Sequence, residues 1–142
     1  MAAPAEVDNN AGGTAPVGRT AARVGLALSA VVTLFLLVDS ASKLLRLPSE
    51  VAGAGQLGFA VGTLPIMGAL LLVSTVLYVV PRTALIGAVL ITGYLGGALC
   101  ATLRIDAPVF TVLLAPVYVA VPVWLGLYLR SPGLRQLVRH GR

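Results

Sequence analysis

The sequence predicts an all-α integral membrane protein, a four-helix bundle whose two termini lie on the cytoplasmic side. Of the 142 residues, 58% are hydrophobic and only 11% are charged. A soluble domain has about 25% charged residues, so the main solvent for this chain must be lipid. Four apolar segments are also long enough to cross a bilayer, because about 20 such residues span its hydrocarbon core. These segments are residues 21–45, 61–80, 84–104 and 109–129.

The two ends of the chain are polar. Residues 1–20 are rich in alanine, proline and glycine and have no hydrophobic periodicity, so we expect a disordered cytoplasmic leader. The transmembrane domain covers residues 21–130, and residues 131–142 form a basic cytoplasmic tail. The single cysteine and the single histidine allow no intrachain disulfide and no multi-histidine site. The sequence therefore predicts no metal.

The first span resembles a signal peptide, with basic residues before an apolar run. However, Asp39 and Lys43 fall where cleavage needs small neutral residues, so we expect a retained helix. After Pro48 we expect Ser49 to cap a short helix over residues 51–57. A helix this short and rich in small residues cannot span the bilayer, so it is predicted to lie at the outer interface.

The second and third spans are joined by a very short turn. Pro81 ends the second span because it lacks the amide proton that a helix needs. Tyr78, close to this end, is expected to place its ring in the headgroup layer. A connection as short as the one around Arg82 requires the two helices to be antiparallel neighbours.

A row of small residues follows one face of the third span. Gly93, Gly97 and Ala101 are spaced by four, so they stack along the helix. Such a row lets a neighbouring helix approach closely in lipid. We therefore expect these residues to form the central packing surface of the bundle. A homodimer face is the alternative.

The fourth span contains Pro116 and Pro122, which lipid-embedded helices tolerate when neighbours satisfy the freed carbonyls. Trp124 and Tyr128 are expected to mark its interfacial end. With four spans, seven lysine and arginine residues lie on the side of the termini and three on the other. The more basic side is cytoplasmic, which places both termini inside.

Polar residues collect near the outer end of the first and third spans. Asp39, Ser42 and Lys43 share one face of the first span, and the topology brings Thr102 and Arg104 to the same side. A charge inside a bilayer costs about 3 kcal/mol and usually faces a partner or a cavity. We therefore predict an outer polar pocket, with Arg104 contacting an anion or headgroup. The alternative is an Asp39–Lys43 pair that only ends the helix at the interface.

Several motifs resemble the DoxX-like family of small four-helix bacterial membrane proteins. The resemblance extends over about residues 26–137, and its most specific parts are the turn at 81–83 and the TGYLGGA run at 92–98. The family-like Asp and Lys of the first helix match Asp39 and Lys43, and the arginine that closes the third helix matches Arg104.

The chain departs from the family pattern at two places. Members often carry an acid early in the second span, where this chain has Leu70 and Leu71. Members also often carry a histidine where Thr102 stands. Both departures remove groups that move protons or bind metal, and they argue against quinone chemistry in this chain.

The resemblance implies a multi-pass protein of the bacterial inner membrane, and no set of residues in it requires catalysis. We expect a non-enzymatic accessory subunit, or one that binds a small ligand or lipid. Because distant relatives look like the membrane subunit of a thiosulfate:quinone oxidoreductase, one alternative is a quinone-linked redox subunit with a soluble thiosulfate- or thiol-handling partner. A small-solute transporter with Asp39 as coupling acid is another. Expected partners are membrane lipid, a small molecule or quinone, and a partner protein or second copy, but not nucleic acid.

Overall fold

The computed structural model describes residues 17–105, 108, 110 and 114–131, with side chains from residue 20 onward. All regular secondary structure in this part of the chain is helical. The elements are α1 (Val17–Leu44), α2 (Pro48–Gln56), a 3₁₀ turn (Val61–Thr63), α3 (Leu64–Val79), α4 (Ala84–Leu103) and α5 (Ala115–Arg130). The expected all-α class is confirmed.

Three segments are long and apolar enough to cross a membrane, namely Thr20–Leu44, Val61–Val79 and Ala84–Leu103. They agree with the first three predicted spans to within one residue at each end. α5 is a shorter apolar helix, and most of residues 109–113, where the fourth span was predicted to begin, lie outside the described residues. The predicted tail, apart from Ser131, and most of the predicted leader lie outside them as well. The last four residues expected in the leader are helical instead, because α1 begins at Val17.

The short helix after the first span forms, but with a different start. Ser49 is not its cap, as we had predicted, because α2 begins at Pro48 and Leu47 occupies the capping position. Proline suits the first helical position, because an amide proton there would have no acceptor within the helix. Gly58 follows the helix with a φ of 76°, and the Phe59 amide donates to the Ala54 carbonyl at 2.8 Å. This is the left-handed glycine end of a Schellman motif.

The four longer helices pack in a ring. α1 lies against α3 and α5, and α4 also lies against α3 and α5. α1 is antiparallel to both of its neighbours, since Gly25 near its start contacts Leu129 of α5, while Gly68 near the start of α3 contacts Leu44. The outward faces are apolar, with exposed side chains such as Leu34, Val73 and Ile86 that suit contact with lipid.

Tyr78 lies in the core, not in the headgroup layer as the sequence suggested. The side chain is fully buried, and its hydroxyl donates to the Val123 carbonyl at 2.9 Å. The Ser29 hydroxyl lies 3.2 Å from the same phenol oxygen, to which it can donate. The Arg130 guanidinium lies 4.5 Å from the ring centroid and donates to the Tyr78 carbonyl. These contacts join α1, α3 and α5 at one end of the ring.

The close helix contacts occur at glycines other than those in the predicted row. A Cβ atom built on Gly87 lies 2.5 Å from the Tyr78 Cα, so α3 and α4 approach each other too closely for any side chain there. By contrast, no heavy atom of a neighbour lies within 4 Å of a Cβ built on Gly93 or Gly97. The prediction that this row packs against another helix is therefore wrong for these two glycines, because no helix in the described part of the chain lies against them.

The contact at Gly87 leads to a prediction about stability. We expect Gly87→Ala to lower the free energy of unfolding by about 2–3 kcal/mol, because the added methyl group meets the backbone of α3 and not a flexible side chain. The measurement is the thermal unfolding of the purified protein in detergent. Gly96→Ala is the matched control on the same helix, since a Cβ there meets nothing within 4 Å. Equal melting temperatures for the two variants would contradict the proposed contact.

The buried phenol gives a second stability prediction. Tyr78→Phe removes the only hydroxyl that donates to Val123 among the described residues and leaves the Ser29 hydroxyl without its acceptor. We expect a loss of about 1 kcal/mol in the free energy of unfolding. Tyr118→Phe, at an exposed tyrosine of α5, serves as the control and should leave the unfolding transition unchanged.

Candidate functional site

A cavity of about 900 Å³ lies at the end of the ring opposite Tyr78. It is formed by the C-terminal part of α1, by α2, by the start of α3, by residues 89–101 of α4 and by the start of α5. Most of its wall is apolar, with side chains that include Leu36, Leu64, Met67, Leu90 and Val119. Its volume is within the range of small-molecule sites in proteins, about 300–1,000 Å³.

A cluster of charged side chains forms one part of the wall. The Lys43 ammonium lies 2.6 Å from the Asp39 Oδ1 atom and 3.2 Å from the Glu50 Oε2 atom. The Ser42 hydroxyl lies 3.0 Å from the other Glu50 oxygen and 2.8 Å from the Asp39 carbonyl, so its single proton has two acceptors. One lysine thus holds two carboxylates, one from each side of the turn between α1 and α2.

The turn at the end of α1 brings Glu50 to this position. Arg46 has a φ of 53°, and the Leu47 amide donates to the Ser42 carbonyl at 3.0 Å. This arrangement is again a Schellman ending, but with arginine where glycine is usual. A non-glycine residue in the left-handed region costs about 1 kcal/mol. The chain changes direction at this turn, and α2 begins directly after it. The first turn of α2 carries Glu50, which therefore lies beside Lys43.

The cluster is partly shielded from solvent. The exposed fraction of the side chain is 15% for Lys43, 28% for Asp39 and 25% for Glu50. Tyr94 of α4 lines the same cavity and lies within electrostatic range of all three charged groups. Within the described part of the chain, its hydroxyl makes no hydrogen bond.

The structure brings only part of the predicted pocket together. Asp39 and Lys43 line the cavity, and Ser42 is bonded to its rim through Glu50. Thr102 is buried outside the cavity wall, where its hydroxyl lies 2.9 Å from the Leu99 carbonyl and 3.2 Å from that of Ala98. Arg104 is exposed and does not line the cavity. Binding of a ligand by any of these five residues stays a prediction.

The row of small residues on α4 lies in the cavity wall. Gly93, Gly97 and Ala101 all line it. The absence of side chains at the two glycines leaves room that a larger residue would fill. The alternative that this row forms a homodimer face stays a prediction.

Two residues of the cavity were missed by the sequence analysis as members of the site. Glu50 could have been found, since it is an acid in the first turn after Pro48 and lies seven positions beyond Lys43. Tyr94 carries the signal of a phenol in the middle of an apolar membrane segment, where a polar group needs a partner or a cavity. Which way either side chain points depends on the packing, which the sequence did not show.

The cavity wall combines apolar side chains with one charged cluster. No group of three or more histidine, cysteine, aspartate or glutamate side chains in this part of the chain is arranged to hold a metal ion. The apolar wall can accept the body of an amphiphile, while the charged cluster and Tyr94 can contact its polar head.

Comparison with known proteins agrees with the motifs in the sequence. A sequence model of the DoxX-like family matches residues 13–126, well over half of the chain. No curated protein and no solved structure matches it. The matched region contains the three span-length helices, the charged cluster and the cavity wall. The chain therefore belongs to the DoxX-like family, as the resemblance of its motifs implied.

Proposed function

We propose that this protein is a non-enzymatic membrane subunit that binds a small amphiphile, a lipid or a lipid-like molecule, in the cavity beside Lys43. The observation that carries the proposal is the cavity itself, about 900 Å³ in volume, with an apolar wall that ends at a partly shielded charged cluster. An amphiphile has the same division between an apolar body and a polar head. The fit between the two is the support for this function.

The arrangement in the membrane is part of the proposal. α5 serves as the fourth span of a bundle, since it packs against α1 and α4, two of the three span-length helices. α2 lies at the outer interface. The positively charged end, with Arg23, Arg82 and Arg130, faces the cytoplasm of a bacterial cell, and both termini lie on that side. The cavity then lies in the outer half of the bilayer.

The sidedness can be tested with single cysteines in a Cys100→Ser background. We expect a membrane-impermeant maleimide to label Gly55→Cys in intact spheroplasts, because residue 55 is exposed on α2. Arg82→Cys, exposed in the turn between α3 and α4, should be labelled only after the membrane is opened. Labelling of Arg82→Cys from outside, with Gly55→Cys protected, would reverse the proposed orientation.

The function can be tested by filling the cavity. We expect Gly97→Leu to lower the amount of amphiphile that copurifies with the protein by about tenfold, equivalent to about 1.4 kcal/mol. The new side chain extends from the cavity wall, and no heavy atom of a neighbour lies within 4 Å of its Cβ. The measurement is mass spectrometry of the molecules extracted from purified protein. The same spectra name the ligand, and recovery of a quinone would instead favour the quinone-linked alternative.

Gly96→Leu is the matched control for this experiment. Residue 96 is the neighbour of Gly97, its Cβ would also meet nothing within 4 Å, and it does not line the cavity. The two variants therefore change helix propensity and hydrophobicity equally and differ only in where the side chain points. Equal occupancy in the two variants would contradict binding in the cavity.

A further inference from the structure

We infer that the ligand of the cavity is an amphiphile whose headgroup carries an organic ammonium. The inference rests on the proposed function and adds to it the charge of the headgroup. It differs from the sequence-based expectation of an anion held by Arg104, which lies outside the cavity wall.

The first step is the charge of the cavity wall. Among the described lining residues, the charged side chains are Asp39, Lys43 and Glu50. One ammonium is shared by two carboxylates, so the wall has one negative charge in excess. Arg46 and Arg104 are exposed and do not line the cavity. The cluster therefore repels an anionic headgroup and attracts a cationic one.

The second step is the supply of acceptors. Asp39 uses its Oδ1 atom for Lys43, and its other carboxylate oxygen makes no hydrogen bond within the described residues. An ionised carboxylate only accepts hydrogen bonds, so this oxygen can accept one from a donor on the ligand. The Tyr94 ring, in the same wall, offers a π face, which also attracts an organic cation.

The third step is what a ligand from the bilayer gains on binding. Its tail leaves one apolar environment for another, so burial of the tail contributes little. Affinity must then come from the head, and a hydrogen bond with a charged partner is roughly twice as strong as a neutral one. A neutral headgroup can use the third proton of Lys43 and the Tyr94 hydroxyl, but it leaves the excess charge uncompensated.

Two sources could supply this chemistry. One is a zwitterionic membrane lipid with an ammonium group, such as phosphatidylethanolamine, and the other is a free lipophilic amine. Both present an ammonium group on an apolar body, and the lipid carries a phosphate as well. The experiment below separates them by competition.

The test uses photoreactive amphiphiles that share one alkyl chain with a diazirine at its end. Their headgroups are primary ammonium, hydroxyl or carboxylate. The full-length protein is held in a maltoside micelle, whose headgroup is uncharged, and the labelled peptides are mapped by mass spectrometry. We expect the ammonium probe to label peptides of the cavity wall at least about tenfold more efficiently than the other two probes.

A charge variant makes the test specific. Glu50→Gln removes the excess negative charge and leaves the Asp39–Lys43 pair in place, so the ammonium probe should lose its advantage while hydroxyl labelling is unchanged. Asp39→Asn, which keeps the Lys43–Glu50 pair, tests the same point if the first variant does not fold. Arg46→Asn is the control, because residue 46 is exposed outside the wall and asparagine tolerates a positive φ.

The outcomes separate this inference from the proposed function. Equal wall labelling by the hydroxyl and ammonium probes, or preference for the carboxylate probe, overturns the cationic ligand and leaves amphiphile binding intact. Absence of wall labelling with every probe overturns both. If the ammonium probe is preferred, displacement by phosphatidylethanolamine supports a lipid as the source, and resistance to it supports a free lipophilic cation.

Discussion

The contact on which the candidate site depends is the Lys43 ammonium held between two carboxylates. It joins the end of α1 to the first turn of α2 and so fixes the position of the short helix over the cavity. Removing the Lys43 ammonium would leave two partly shielded carboxylates uncompensated, which costs more than the ion pairs contribute. The turn that makes this contact possible adopts a strained conformation at Arg46. Strain of this kind tends to collect at functional sites.

The two ends of the helix ring have opposite characters. At the Tyr78 end the helices touch through glycines, and the Tyr78 phenol is fully buried with its hydrogen bonds made. At the Lys43 end Gly68 of α3 still packs closely against α1, but the helices also surround a cavity, and the Tyr94 hydroxyl has no hydrogen-bond partner among the described residues. A tight end can hold the helices together while the other end stays wide. The close contacts at Gly25 and Gly87 therefore hold the helices together at the end opposite the cavity.

The sequence was a good guide to the elements and a poorer guide to their contacts. Hydrophobic runs and proline positions predicted three span-length segments to within one residue, because lipid permits only helices with an apolar surface. The Asp39–Lys43 pair followed from helical spacing. Spacing did not show which face of α4 meets another helix, so Gly93 and Gly97 were taken for packing residues and Tyr78 for an interfacial one. Which residues face a neighbour depends on the rotation of each helix about its axis. The sequence does not determine this rotation, because these helices are almost equally hydrophobic on every face.

The glycines of α4 bear on the function in another way. A glycine inside a helix costs about 1 kcal/mol relative to alanine, and Gly87 recovers this cost through the close contact with α3. Gly93 and Gly97 make no such contact, so packing within the described fold does not offset their cost. What they do provide is space in the cavity wall. Gly96 does not line this cavity, so the argument applies to the other two alone. Two unpacked glycines beside a charged cluster are understandable if the space that they leave is used by a ligand.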